Sequence, residues 1–279
     1  MAVARLRAPS VLPGFGLALG YTLTYLGLIV LLPLAALAVR GAALPLGELT
    51  GVFADERSRA AIRLSFGSAL IAAAIALVAG GVVAWVLARY RFPGRRFLDA
   101  VVDLPFALPT AVAGIALASV FDATGWLGGP LGRLGVQVAY TQVGIVVALV
   151  FIGLPFVVRS LQPVIEELDV EVEEAAATLG ASRLQTLWRV VVPTLLPAGI
   201  TGFALALARA VGEYGSVVFI AGNLPFRTEI APLLIIIRLE EFDYPGAMAL
   251  ALVMLGISFA LLLAVNVVQA WARRRFGRG

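Results

Sequence analysis

An all-α polytopic membrane protein with six transmembrane helices is the fold class this sequence predicts. Three observations carry that expectation. Of 279 residues, 61% are hydrophobic and only 14% charged, against about half apolar and a quarter charged in soluble domains. Mean hydropathy is +0.99. The apolar residues also gather into long runs, each close to the roughly 20 residues that cross a bilayer as a helix.

Taken in order, the runs are Gly14–Val39, Leu64–Ala88, Leu104–Phe121, Tyr140–Val158, Leu195–Val218 and Ala247–Ala270. None alternates with the two-residue period of a barrel strand, so helices fit. The third is only just long enough, and Pro105 and Pro109 stand at its start. Those prolines free backbone carbonyls that can line a pore, although a simple kink is the plainer reading. The first run is too long for a removable leader peptide and lacks an A-x-A cleavage pattern. Ile230–Ile237 is a further apolar run, too short to cross, and is expected to be a partly embedded outer helix.

Absences restrict the chemistry. The chain has no Cys and no His, and all 21 basic residues are arginine. Thiol and imidazole catalysis, Cys/His metal sites and Schiff-base chemistry are excluded. A phosphate-binding P-loop needs a lysine, so any ATP hydrolysis belongs to another polypeptide. Gly14 and Gly16 fail the dinucleotide fingerprint, because Leu19 occupies the third glycine position. No metal or cofactor is expected in the chain itself. The net charge of +4 does not signal nucleic acid, because the arginines flank apolar runs.

Arginine placement predicts orientation. Arg5 and Arg7 precede the first run, Arg89, Arg91, Arg95 and Arg96 follow the second, and Arg159, Arg183 and Arg189 follow the fourth. Arg273, Arg274, Arg275 and Arg278 close the chain. With six crossings all of these share one side, which the positive-inside rule makes cytoplasmic together with both termini. Arg40, Arg57, Arg59, Arg63, Arg133, Arg227 and Arg238 form the smaller outer set. Trp85, Tyr90 and Trp271 fall near inner ends, and Trp126 and Tyr140 near outer ends, as an aromatic belt requires. Gly16 and Gly20 form one GxxxG pair, read as a helix-packing site; Gly128 and Gly132 form another within an outer loop.

The longest polar interruption on the inner side is Pro163–Pro193. Val164, Leu168, Val172, Ala175, Ala176 and Leu179 recur at helical spacing, and Glu166, Glu167, Asp169, Glu171, Glu173 and Glu174 fill much of the rest. Gly180 stands where a left-handed cap ends a helix. Ser182 and Gln185 fit a capping box that starts a second short helix, with Leu184, Leu187, Trp188 and Val191 as its apolar face. The pattern predicts helix, glycine turn, helix against the inner membrane face. Such a loop could simply rest on lipid or on its own spans. An interfacial lipid-binding helix should carry a basic polar face, however, and this one is acidic, which favours a protein partner for its apolar stripe.

Glu174-Ala175-Ala176, three residues, Gly180, nine residues and Val190-x-Val192-Pro193 resemble the EAA loop of bacterial ABC importer permeases, with Val in place of Ile and Leu near the end. Leu108-Pro109-Thr110-Ala111-Val112-Ala113-Gly114 and Gly212-Glu213-Tyr214-Gly215-Ser216 look like the sulfate and molybdate branch of that family. Phe219–Pro225 and Thr228–Leu233 look like its sulfate/thiosulfate T-subunit permeases. The resemblance spans essentially the whole chain. It implies a type I ABC importer permease (MetI-like) fold in a single domain, 1–279, with 163–193 as the coupling loop that docks on an ATPase. Glu174, Ala175, Ala176, Gly180 and Pro193 would carry that docking. The implied partners are a second permease chain, two ATP-binding subunits holding ATP and Mg, and a periplasmic sulfate-binding protein, in the bacterial inner membrane.

Arg209 and Glu213 are four residues apart in the fifth run and can meet on one helix face. Counted from Leu195, they lie about 21 and 27 Å along the axis. An ion pair there lowers the cost of holding charge in hydrocarbon. Equally, with Tyr214, the pair could line the translocation path or its outer gate. The expected function is ATP-driven alternating access for sulfate or thiosulfate. Molybdate or tungstate is the alternative within the class. An ion-coupled secondary anion transporter is the alternative outside it, disfavoured because no inverted repeat with paired broken helices is evident. An intramembrane enzyme would have only Glu, Asp, Ser or Tyr to work with.

Overall fold

The computed structural model describes residues 14–276 of the chain, with side chains through 270. Arg5, Arg7 and Arg278 lie outside the described residues, as do the side chains of Trp271, Arg273, Arg274 and Arg275. Every regular element among the described residues is helical.

The chain divides into two units, Met1–Pro45 and Leu46–Gly279. The described part of the first is one long apolar rod. α1 (Phe15–Tyr25) passes through a π segment, Leu26–Leu31, into α2 (Leu32–Ala42). Apart from Arg40 in its last turn it has no polar face to turn toward water, which suits a span in lipid.

The second unit begins with α3 (Leu46–Ala54) and α4 (Glu56–Arg89), followed by α5 (Arg95–Val102), α6 (Leu104–Ala107), α7 (Thr110–Phe121) and α8 (Gly128–Arg133). Then come α9 (Gln142–Glu166), α10 (Val170–Thr178), α11 (Arg183–Thr186), a second π segment at Leu187–Val191, and α12 (Val192–Val211). α13 (Gly215–Ile220), α14 (Ala231–Glu240) and α15 (Tyr244–Phe276) complete it.

Its core is the mutual packing of α4, α9 and α12. Small residues make that contact close. α4 buries Ala69, Ala72, Ala73, Ala76, Gly80 and Ala84 along one side. A methyl on Gly80 would stand 2.9 Å from Val157 Cγ1, and one on Gly202 of α12 would stand 2.9 Å from Val157 Cα. In hydrocarbon, where apolar burial does not separate helix from lipid, such close backbone approach supplies the packing energy.

Among the described residues, five helices are long and apolar enough to cross a bilayer: Phe15–Ala42, Glu56–Arg89, Gln142–Glu166, Arg183–Val211 and Tyr244–Ala270. The sixth expected crossing, third in order, is broken. α6 ends before Leu108-Pro109, and α7 has 12 residues, rising about 18 Å. Pro109 cannot give its nitrogen to a helical bond and disfavours helix at Leu108, which is extended (φ −85°, ψ 133°). α14 has ten residues, so the Ile230–Ile237 run does not cross.

The expected loop 163–193 is shorter in the structure. α9 continues through Pro163 to Glu166, and the second short helix is the beginning of the fifth span. Both π segments have one cause. Leu32 N–H donates to Gly27 O, and Val192 N–H to Leu187 O, each five residues back. Pro33 and Pro193 come next. A proline offers no N–H and its ring crowds the carbonyl four residues earlier, so the preceding turn widens.

Candidate coupling elbow and membrane-embedded ion pair

The elbow is α10, the Gly180 turn and α11. Glu171 and Glu173 occupy the first turn of α10, where the helix dipole favours acids. The helix ends in a Schellman motif: Ala181 N–H donates to Ala176 O at 3.0 Å, and Gly180 N–H to Ala177 O at 2.9 Å. Gly180 has φ +84°, a conformation that costs any residue with a Cβ about 1–2 kcal/mol. Ser182 and Gln185 form the expected capping box, with Ser182 N–H donating to Gln185 Oε1 at 2.8 Å.

Glu174, Ala175 and Gly180 are exposed, and Ala176 and Pro193 are half-buried. The apolar residues are unusually bare: Leu179 is 88% and Trp188 63% exposed. The expected stripe is cut, because Val164 belongs to α9 and Leu168 to the link after it.

Ion pairs fasten this end of the bundle. Arg89, the last residue of α4, donates Nη2 to Glu173 Oε1 in α10, and its guanidinium carbon lies 5.4 Å from the Trp85 ring centroid. A cleft of about 430 Å³ between Trp85, Glu173, Ala177, Arg183 and Leu187 sits beside that pair. Arg159 holds α5 against α9, with Nε to Asp103 Oδ1 at 2.8 Å, Nη2 to Asp103 Oδ2 at 2.6 Å and Nη1 to Asp99 Oδ1 at 2.7 Å. On sequence, Arg89 and Arg159 read only as markers of topology. Their partners lie 84 and 60 or fewer residues away, beyond any local pattern.

The Arg209–Glu213 pair forms, but not within one helix as the sequence suggested. α12 stops at Val211 with Gly212 as its cap, and Glu213 lies beyond the end. The Glu213 side chain is 3% exposed. One oxygen takes Arg209; the other accepts Ser216 N–H at 2.8 Å and Ser216 Oγ–H at 3.0 Å. By holding the Ser216 amide, the carboxylate satisfies a donor at the start of α13. Tyr214 caps α13 and is 36% exposed.

This break meets the one before α7. A methyl on Gly215 would stand 2.2 Å from Thr110 Oγ1, and one on Gly114 would stand 2.3 Å from Ser216 O. The two runs 108–114 and 212–216 therefore form one structure, in which two interrupted helices touch through glycine. No inverted repeat with paired broken helices is evident in the sequence; the structure adds that two helix breaks do meet here. The fifth run reads through Arg209, Gly212, Glu213 and Gly215 as far as Val218, so the second break is not anticipated from sequence.

At the opposite end, run 219–233 is a lock. Gly222 has φ +75° and lies against Tyr140. Asn223 Nδ2–H donates to Val218 O at 2.8 Å, and Leu224 N–H to Thr228 Oγ1 at 2.9 Å. Buried Glu229 accepts both prongs of Arg57, and Ala231 N–H donates to Ser65 Oγ at 2.8 Å. Arg238 binds Asp55 Oδ2 at 2.9 Å and Ser58 Oγ at 2.7 Å. Among the described residues no group of three or more acidic residues is placed to hold a metal ion.

Known proteins place this architecture. The family "Binding-protein-dependent transport system inner membrane component" matches residues 76–278. The sulfate transport system permease protein CysT of Synechocystis is 50% identical over 253 residues, covering 91% of this chain and 88% of that protein. CysT of Escherichia coli is 49% identical over 268 residues, covering 96% and 95%. A solved bacterial ABC transporter involved in the import of the acidic polysaccharide alginate shares the fold, with TM-score 0.74 at 14% identity over 91% of this chain and 94% of that one. The chain belongs to the inner-membrane components of binding-protein-dependent transport systems, and within them to the CysT permease family.

Proposed function

We propose that the chain is a pore-forming permease subunit of an ABC importer that moves sulfate or thiosulfate into the cytoplasm by ATP-driven alternating access. The naming of its half-identical relatives as sulfate permeases supports the substrate. The exposed elbow supports the coupling role. An acidic helix ended by bare Leu179, with bare Trp188 following it in the π segment at the start of the fifth span, is poorly suited to water and to anionic lipid headgroups, and well suited to a groove on another protein.

In this reading the elbow end is cytoplasmic. It carries Arg89, Arg91, Arg95, Arg96, Arg159, Arg183 and Arg189, as an inner face should, and both termini lie on that side. Two ATP-binding subunits hold ATP and Mg and press on Glu174, Ala175, Ala176, Gly180 and Pro193. A second, related permease completes the pore. A periplasmic sulfate-binding protein delivers the anion to the Arg57 end. The touching helix breaks at Thr110 and Tyr214 form the outer gate, with Arg209 and Glu213 beside it. Breaks are where a helix bends at least cost, since their backbone groups already bond outside the regular ladder. The Arg209 side chain is a third exposed; Glu213, turned inward and held by three donors, presents little negative field to a passing anion.

The test is Gly180→Glu in the assembled complex. The variant inserts normally, loses transport and retains less ATPase subunit on copurification. Full retention of the ATPase subunits would refute the coupling role.

A further inference from the structure

We infer that α4 is the strut that carries elbow movement across the membrane, gripped at one end by Glu173 and at the other by Glu229. The inference rests on the elbow being the ATPase-docking element.

α4 is one uninterrupted helix of 34 residues. Arg57 and Arg89, near its two ends, are about 48 Å apart along the axis at helical rise. At the inner end Arg89 pairs with Glu173 of α10, so the elbow is tied to α4 as well as to its own neighbours in sequence. Glu173 is the residue before Glu174-Ala175-Ala176, and its side chain is only 29% exposed. It points into the bundle while Glu174 is exposed. At the outer end Arg57 grips Glu229 with two bonds of 2.8 and 2.7 Å, and Asp55, which caps α4, takes Arg238 of α14. Glu229 lies within the 219–233 lock, which runs on from α13 just after the gate break.

α4 thus bonds by charge to the moving part at one end and to the gate-side segment at the other. Between them its small-residue face lies on α9, which favours sliding or tilting as a rigid body over bending. The route through α12 offers no equivalent. It begins with a widened π segment at Leu187–Val191 and ends at the Gly212 break, and both can absorb movement instead of transmitting it. Coupling through a helix is physical only where both ends bias the same rigid element; here each end has a charge-assisted bond that does so.

The experiment measures sulfate taken up per ATP hydrolysed, in vesicles holding the full complex and its binding protein. Arg89→Glu is expected to keep the ATPase subunits on copurification while uptake per ATP falls roughly ten-fold. The exchange of both charges, Arg89→Glu with Glu173→Arg, restores it, and so does Arg89→Lys in part. Arg57→Lys keeps the charge but loses the two-pronged grip, and lowers uptake per ATP with ATPase binding intact. Unchanged uptake per ATP in Arg89→Glu overturns the strut. So does parallel loss of ATPase binding and uptake without rescue by the exchange, since the pair would then only seat the elbow. Failure of the elbow reading itself would show separately, as full ATPase retention in Gly180→Glu.

Discussion

Gly114 and Ser216 meet backbone to backbone: a methyl group on Gly114 would stand 2.3 Å from Ser216 O and 2.8 Å from its Cα. Neither atom belongs to a side chain that could turn aside. Gly114→Ala is therefore expected to push α7 off α13, at a cost of about 1–3 kcal/mol. Thermal unfolding of the purified chain in detergent measures it. A neighbouring control, Gly132→Ala, has nothing within 4 Å of the new methyl and should leave the midpoint unchanged.

Arg57 neutralises a carboxylate that is 2% exposed. Arg57→Ala leaves Glu229 buried without a counter-charge, which costs about 3 kcal/mol or more. Removing both groups together, Arg57→Ala with Glu229→Met, should be much milder, because no charge is then stranded. Midpoints of the two variants, compared with the parent chain, decide the point. Equal losses would mean that the pair's geometry, and not the stranded charge, sets the stability.

Open space surrounds Gly180, with nothing within 4 Å of an added methyl, so its requirement is conformational. Gly180→Asn should preserve the turn better than Gly180→Ala, since asparagine tolerates the left-handed region. Hydrogen exchange at the Ala181 amide reports on the Schellman bond. Protection in the order Gly, Asn, Ala is the expected result, and equal protection in all three would contradict it.

Asp55 predicts an acid limit. Burial pushes its carboxyl up, but hydrogen bonds from Ser58 and Arg57, with the Arg238 charge, bring it below its ordinary value of 3.8. A carboxyl lowered by folding contributes stability that is complete above the unfolded value of about 3.9 and is lost as pH falls through the folded one. Melts of the parent chain should therefore decline below about pH 4 more steeply than those of Asp55→Asn. Parallel curves would show that Asp55 is not responsible.

Local chemistry was legible and distant chemistry was not. Gly180, Ser182 and Gln185 identify the elbow because each acts on backbone within five residues. The apolar runs identify five spans for the same reason. Pro109 announced a disturbance, but not that α6 and α7 separate there. Gly212 and Gly215 were visible, yet the apolar stretches on either side, 195–208 and 217–221, made the fifth run read as one span. Only Glu213 turning back to the Ser216 amide reveals the break. Pro163 misled in the other direction, since α9 passes through it. In the sequence Glu173 is one of six acids in 163–193, and Glu229 is simply part of the Thr228–Leu233 run. Their roles depend on Arg57 and Arg89, which folding brings to them from 172 and 84 residues away.

The π turn at Leu187–Val191 contains one residue more than an α-helix needs to join the same two ends. Trimming a single residue there would keep the flanking faces in phase, with the Pro193 ring met by a kink instead of a widened turn. The junction between elbow and span thus has a built-in allowance for a one-codon deletion, whereas the same loss inside α4 would turn every contact beyond it by about a hundred degrees.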